Sequence, residues 1–329
     1  MGTHLEAAVM EAEKPVKPDQ ILKELSEIWA SMAKPDDART EDAATHGGGG
    51  VLRACAMTLI SFVDDEEDSQ TLSETLAGLM KEHPSRSVVV RLKEGEGFLD
   101  ARVFAQCWMP FGHRRQICCE QIEITSSMDR LADVAAIVGP LAVPDLPKVI
   151  LLRSARIVRA GALRKILPLG NKIIVDSDRA GAPGFGELGG LLDAGHITGD
   201  LAWTRITSVR ALLAQLLDDR VPQRIAIEYT GREAGPEARY MEAWLASALP
   251  STKVGLKGTG GDGRGKISVI TVDSDLTMRL TESGAEYDRG GMRQFASMSK
   301  CTDEELLNTE LGIVIHDTVF ERALNRITA

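Results

Sequence analysis

A chain of 329 residues with 43% apolar side chains can bury a sizeable core, and at roughly 100–200 residues per domain it should divide into two domains or three. Forty-eight acidic against 38 basic residues leave a formal charge of −10, scattered rather than blocked, which excludes a phosphate-backbone binder with a clustered basic face. Nucleic acid is therefore not expected as a partner, and no apolar run approaches the roughly 18 residues of a membrane-spanning helix. The opening "MGTHLEAAVMEAEKPVKPDQ" has neither the basic start nor the apolar run of a signal peptide, so a cytoplasmic protein is expected.

In chain order, "DQILKELSEIWASMA" (19–33) places Ile21, Leu22, Leu25, Ile28, Trp29 and Met32 at helical spacing, which predicts a helix that docks inside the protein or against another one. "KPDDARTEDAATHGGGG" (34–50) is polar, rich in breakers and ends in four glycines, so residues 1–50 read as an N-terminal helix and flexible linker. Residues 51–142 read as an α+β domain with an antiparallel sheet. The strand "VLRACAMTLISFV" precedes a helix with Thr71 and Glu74 as capping box; two strands hinged at Gly95–Gly97 and the alternating "QICCEQIEIT" follow.

Strands and helices alternate from "VPDLPKVILLR" through "PEARYMEAWLASAL", which predicts a Rossmann-like parallel α/β domain over 143–329. Its strand ends lead into Arg153–Ser154, Asp176–Ser177–Asp178 and Tyr229–Thr230–Gly231, where ligands of such sheets sit. An antiparallel C-terminal extension follows, with a hairpin turning near Asp273–Asp275 and helices at 303–311 and 317–327. The whole chain is thus expected to be α/β.

Motifs that carry chemistry are thin. "GGDGRGK" (260–266) satisfies G-x-x-x-x-G-K, yet Ile267 stands where magnesium binding needs Ser or Thr, and a strand follows instead of a helix. "GAPGFGELGG" (181–190) is a glycine-rich loop of the wrong order for a dinucleotide. The six histidines are dispersed, and no H-E-x-x-H or G-x-S-x-G occurs. Five cysteines (Cys55, Cys107, Cys118, Cys119, Cys301) without C-x-x-C spacing read as reduced, inert thiols. No catalytic set, cofactor or metal is expected.

One stretch stands out, "GDLAWTRITSVRALLAQLLDD" (199–219). With Thr207 as N-cap, Val209, Leu212, Leu213, Leu216 and Leu217 form a buried helical stripe, and Trp203–Arg205 lie in extended chain just before it. Trp203 and Arg205 would then project to one side, so that an aromatic face, a guanidinium, the hydroxyls of Thr204 and Thr207 and free helix N–H groups converge. Such a corner suits a phosphate, a carboxylate or an acidic side chain of a partner. The alternative is that Trp203 plugs the domain while Arg205 pairs with an internal carboxylate such as Asp200.

"DLAWTRIT" with "VRALLAQLLD" resembles the glucose-6-phosphate dehydrogenase assembly proteins called OpcA. "ILKELSEIW", "HPSRSVVV", "VPDLPKVIL" and "DTVFERAL" agree in the same order over nearly the whole chain. Ser85 stands where the family has Cys, and Ser208 where it often has Pro. The resemblance implies a non-catalytic partner that helps glucose-6-phosphate dehydrogenase reach or hold its active oligomer in the oxidative pentose phosphate pathway, in some relatives as an allosteric activator. By the same analogy the partner- or anion-binding surface lies around Trp203, Thr204, Arg205, Thr207 and Arg210. His83, Arg86 and the "PDLP" turn with Asp145 are further candidates. A sugar-phosphate-binding protein or enzyme using the Arg205 corner is the competing expectation, and a sugar-phosphate effector is compatible with either.

Overall fold

The computed structural model describes residues 4–9, 16–32, 52–53, 55–108, 117–180, 184–218, 220–263 and 265–329, so the expected linker at 34–50 lies outside the described residues. The chain is of the α/β class and forms two compact units, Met1–Ile173 and Ile174–Ala329.

The first unit runs β1 (His4–Val9), α1 (Pro18–Met32), β2 (Leu52–Arg53), β3 (Met57–Asp64), α2 (Ser69–Leu79), β4 (Ser85–Lys93), β5 (Leu99–Trp108), β6 (Ile117–Ser127), α3 (Leu131–Leu141), β7 (Lys148–Leu152) and α4 (Ala155–Arg159). Its sheet has the order β1-β5-β6-β4-β3-β7. The strands β6, β4, β3 and β7 are mutually parallel, while β5 runs antiparallel to β6. The turn at Gly95 (φ 101°) and Gly97 (φ 78°) exists, yet it does not join hairpin partners, because β6 inserts between β4 and β5. The reason lies in β4 itself. Its Val88–Val89–Val90 run is buried, as befits a parallel strand covered on both faces, and it takes a parallel neighbour on each edge. Strand β7, grouped by the sequence reading with the following chain, pairs with β3 here.

Helix α2 starts earlier than its expected capping box. Asp68, not Thr71, is the N-cap, its carboxylate accepting from Thr71 N at 2.9 Å, and Leu72, Leu76 and Leu79 face inward as the spacing predicts. Helix α1 docks within its own unit, against β5 and α3, with Ile21 and Leu25 buried. Its Trp29 indole donates to the Glu120 carboxylate at 2.7 Å. Cys119 is buried and its thiol is pushed up to about 12 by burial, the inert state expected of it; the side chains of Cys107 and Cys118 lie outside the described residues.

Strand β8 (Lys172–Val175) crosses the division between the units. The second unit continues with α5 (Ser177–Ala180), α6 (Gly184–Asp193), β9 (Ile197–Asp200), α7 (Leu201–Arg205), α8 (Thr207–Leu217), β10 (Arg224–Tyr229), α9 (Pro236–Ala248), β11 (Lys253–Gly258), β12 (Ile267–Val272), β13 (Leu276–Thr281), β14 (Gly284–Arg289), β15 (Met292–Ser297), α10 (Asp303–Gly312) and α11 (Thr318–Thr328). Its six-stranded sheet has the order β11-β10-β12-β13-β14-β15. Here β10 and β11 are parallel, with α9 as their crossover, and every later pairing is antiparallel.

The second unit thus has the expected parallel pairing and antiparallel extension, while the first adds parallel pairings of β3, β4 and β6 to the antiparallel ones expected there. Connections decide this. A parallel neighbour needs a crossover of a dozen or more residues, whereas the links after β12, β13 and β14 are turns of a few residues. Asp273 (φ 48°) makes the expected turn, and Gly290 (φ 60°) with Gly291 (φ 87°) makes a further one that adds β15. Helices α10 and α11 fall where expected, α10 opening with a Thr302–Glu305 capping box.

Candidate functional site

Residues 201–205 are helical, not extended. Asp200 ends β9 and caps α7, its Oδ1 accepting from Ala202 N at 2.9 Å, so the chain turns into a helix three residues before Trp203. Ile206 then resets the direction and α8 begins at Thr207. Of its expected stripe, Leu213, Leu216 and Leu217 are buried, and Val209 and Leu212 half-buried. Because α7 is a single helical turn against the core, Trp203 and Arg205 do not share a face: Trp203 points inward and is 3% exposed, while Arg205 sits at the edge.

Trp203 joins an aromatic cluster. Its ring lies 5.8 Å from Tyr240 on α9 and 5.9 Å from Phe320 on α11, and Phe185 of α6 meets Tyr240 edge-on at 5.2 Å. The Arg210 guanidinium stacks 3.4 Å from the centroid of the Trp203 ring and donates to Thr207 Oγ1 at 3.0 Å. Burial lowers the pKa of Arg210 to about 10, against the pull of Asp317 and Glu310. The Trp203 indole N–H donates at 3.3 Å to Asp317, whose other oxygen caps α11 through Val319 N and Phe320 N.

Beneath this cluster lies Asp200, fully buried. It accepts from Ser177 N at 3.2 Å, Ser177 Oγ at 3.0 Å and Tyr240 Oη at 2.8 Å, besides its capping bond. Burial raises its pKa from an ordinary 3.8 to about 6, and those hydrogen bonds hold it from going higher. Thr204 donates to the buried Glu310 carboxylate of α10 at 2.5 Å. Gly199 is glycine because a Cβ there would run into the Glu310 carboxylate. Arg205 lies 3.8 Å from Asp176 Oδ1 and 3.5 Å from Glu237 Oε1, two separations too long for strong hydrogen bonds. Burial disfavours the Arg205 charge, and Asp176 followed by Glu237 outweighs it, leaving the pKa raised; Glu237 is itself raised by burial.

A pH dependence follows from Asp200. The folded chain holds this proton up to about pH 6 while the unfolded chain releases it near 3.8, so the stability contributed by protonated Asp200 is full below pH 3.8 and is lost as pH rises through about 6. Across that window the wild-type chain should lose stability relative to Asp200→Asn, whose side chain does not titrate. Denaturation midpoints of both at stepped pH check this, and parallel curves would refute it.

Of the expected site residues, the structure brings Trp203, Thr204, Arg205, Thr207 and Arg210 together in the second unit. The internal alternative describes Trp203 and Arg205, with Asp176 and Glu237 as the Arg205 partners in place of Asp200. Asp176 belongs to a strand-end segment already marked in the sequence. Tyr240, Glu310 and Asp317 were not marked; the Asp-x-x-Phe pattern at 317–320 is the cap signal that would have pointed to Asp317. In the first unit Arg86 is buried and structural, Nε donating to Glu120 at 2.5 Å and Nη1 to Leu141 O at 2.6 Å. His83 is half-buried after α2, and Asp145 is exposed in a left-handed turn (φ 62°).

No helix among the described residues is long and apolar enough to cross a membrane, and no group of three or more His, Cys, Asp or Glu among them is placed to hold a metal. In solved structures the chain is similar to biliverdin reductase from Synechocystis sp. PCC 6803 (TM-score 0.47, 9% identity, 82% of this chain and 96% of that one). It is also similar to the UDP-N-acetylglucosamine 3-dehydrogenase GnnA from Acidithiobacillus ferrooxidans (TM-score 0.45, 8% identity, 84% and 96%). A curated relative from Synechocystis sp. that carries the name OpcA is 25% identical over 229 residues, covering 66% of this chain and 47% of the relative. A namesake from Nostoc punctiforme is 28% identical over 156 residues, covering 44% and 33%. The aligned part of this chain thus spans about half the length of the first relative and a third of the second. Residues 77–187 match the model of the glucose-6-phosphate dehydrogenase subunit N-terminal domain, and residues 197–324 that of the C-terminal domain. The two matches take in α3 and β4 of the first unit and nearly all of the Trp203 network in the second, and on them the chain belongs to the OpcA family of glucose-6-phosphate dehydrogenase subunits.

Proposed function

We propose that this chain is a non-catalytic partner of glucose-6-phosphate dehydrogenase that promotes its active oligomer and activates it allosterically. The observation that carries the reading is the family match of both halves, each described as a domain of a dehydrogenase subunit. The side-chain geometry agrees with it. Trp203, Thr204 and Arg205, the most specific residues of the resemblance, are engaged with Tyr240, Phe320, Glu310 and Asp176, a use that builds a surface instead of performing a reaction. We place the partner surface at the α7–α8 corner, where Thr207 is exposed and Arg210 half-buried over the fixed Trp203 ring, with His83 and Asp145 as candidates on the first unit.

Mixing the purified chain with the dehydrogenase of the same organism should raise NADPH formation and give a heavier species in light scattering. Thr207→Glu and Asp145→Asn, both at exposed positions and the latter compatible with the left-handed turn, should weaken the complex while leaving the fold intact. An unchanged rate together with unchanged mass would overturn the reading.

A further inference from the structure

On the solvent side of Arg205 lies a cleft of about 490 Å³. Its walls come from four segments of the second unit: Arg205 at the end of α7, Ser208 and Val209 in the first turn of α8, Lys266 at the start of β12, and Met298–Cys301 after β15, with the β13–β14 turn closing it. Three cations converge there, Arg205, Lys266 and Lys300, while Glu282 is the one carboxylate among the lining residues. In a chain of net charge −10 such a concentration runs against the average surface.

Two of the three cations are also under-used. Lys266 and Lys300 are exposed and have no ion pair within 4.0 Å among the described residues, although Glu237 feels the Lys266 charge. Arg205 meets Asp176 at 3.8 Å and Glu237 at 3.5 Å from behind, loose pairs, and lines the cleft with its remaining exposed part. No side chain caps the first turn of α8, whose N–H groups add donor character to the same wall. Ser208 and Ser299 supply hydroxyls beside these charges.

We propose that this cleft binds a small phosphate monoester, its dianionic phosphate between Arg205, Lys266 and Lys300 and its polar body against Ser208, Ser299 and the β13–β14 turn. Three cations from separate segments fit a compact dianion better than a single carboxylate, and the volume falls within the range of small-molecule sites. The site requires nothing of the dehydrogenase, so it stands or falls separately from the partner reading.

The test is titration calorimetry on the isolated chain with inorganic phosphate, a hexose 6-phosphate and the unphosphorylated hexose. The phosphate and the hexose phosphate should bind, the ester more tightly, and the free hexose should not. Lys266→Ala combined with Lys300→Ala should melt as wild type does and weaken binding by about tenfold or more, the effect of losing charge-assisted contacts. Glu282→Gln should tighten binding, and added salt should weaken it. Absence of heat with both phosphates at about 10 mM, or equal affinity in the lysine double variant, would overturn the proposal. Equal binding of the free hexose would overturn the assigned ligand class.

Discussion

Replacing Trp203 by alanine is expected to destabilise the second unit by about 3–5 kcal/mol, the usual cost of deleting a large buried aromatic. Trp203 is 3% exposed, and its ring is shared by Tyr240, Phe320 and the Arg210 guanidinium, so its loss opens a cavity between α7, α9 and α11 and unstacks a cation. At about 2–4 °C per kcal/mol for a unit of this size, the melting temperature should fall by about 10 °C. Trp203→Phe keeps most of the packing and loses the 3.3 Å bond to Asp317, so it should cost only about 1–2 kcal/mol. A Trp203→Ala chain that melts within a degree or two of wild type would show that the cluster does not hold the unit together.

Asp200→Ala should be as damaging, for a polar reason. The substitution removes the cap of α7 and strands Ser177 N, Ser177 Oγ, Ala202 N and Tyr240 Oη, four donors that all point at the lost carboxylate. Each buried orphan costs roughly 1–3 kcal/mol before relaxation, and partial rearrangement should leave a net loss of about 3–5 kcal/mol. Asp200→Asn retains an acceptor at the cap and should recover more than half of that. Denaturant unfolding of the three chains decides it; equal midpoints for the alanine and asparagine variants would mean that the hydrogen bonds contribute little.

Much of this fold was legible in the sequence because local rules and tertiary demands agree there. The Leu213, Leu216 and Leu217 stripe, the two C-terminal helices and the turn at Asp273 are each readable within about a dozen residues. Two things were not legible. The order of strands around β4 depends on edge pairing, which an apolar run announces without naming its partners. The conformation of 201–205 depends on partners far along the chain: Thr204 meets Glu310 across 106 positions and Trp203 meets Asp317 across 114. "DLAWTRIT" taken alone satisfies either an extended segment or one helical turn, and the cap at Asp200 together with the pocket made by α9, α10 and α11 selects the turn. The partner of Arg205 is hidden from the sequence for the same reason, since Asp200 is spent on capping and Asp176 and Glu237 stand nearer to the guanidinium.

The tie between α7 and α11 also sets when this unit can close during synthesis. Trp203 leaves the ribosome more than a hundred residues ahead of Phe320, and its ring has no complete cluster until α11 follows. Contacts of such long separation form late and slowly, so the nascent chain carries an uncovered indole and an open α9 face until α11 has been made. Vectorial emergence therefore makes α11 the latch of the second unit, which closes on an indole already in place.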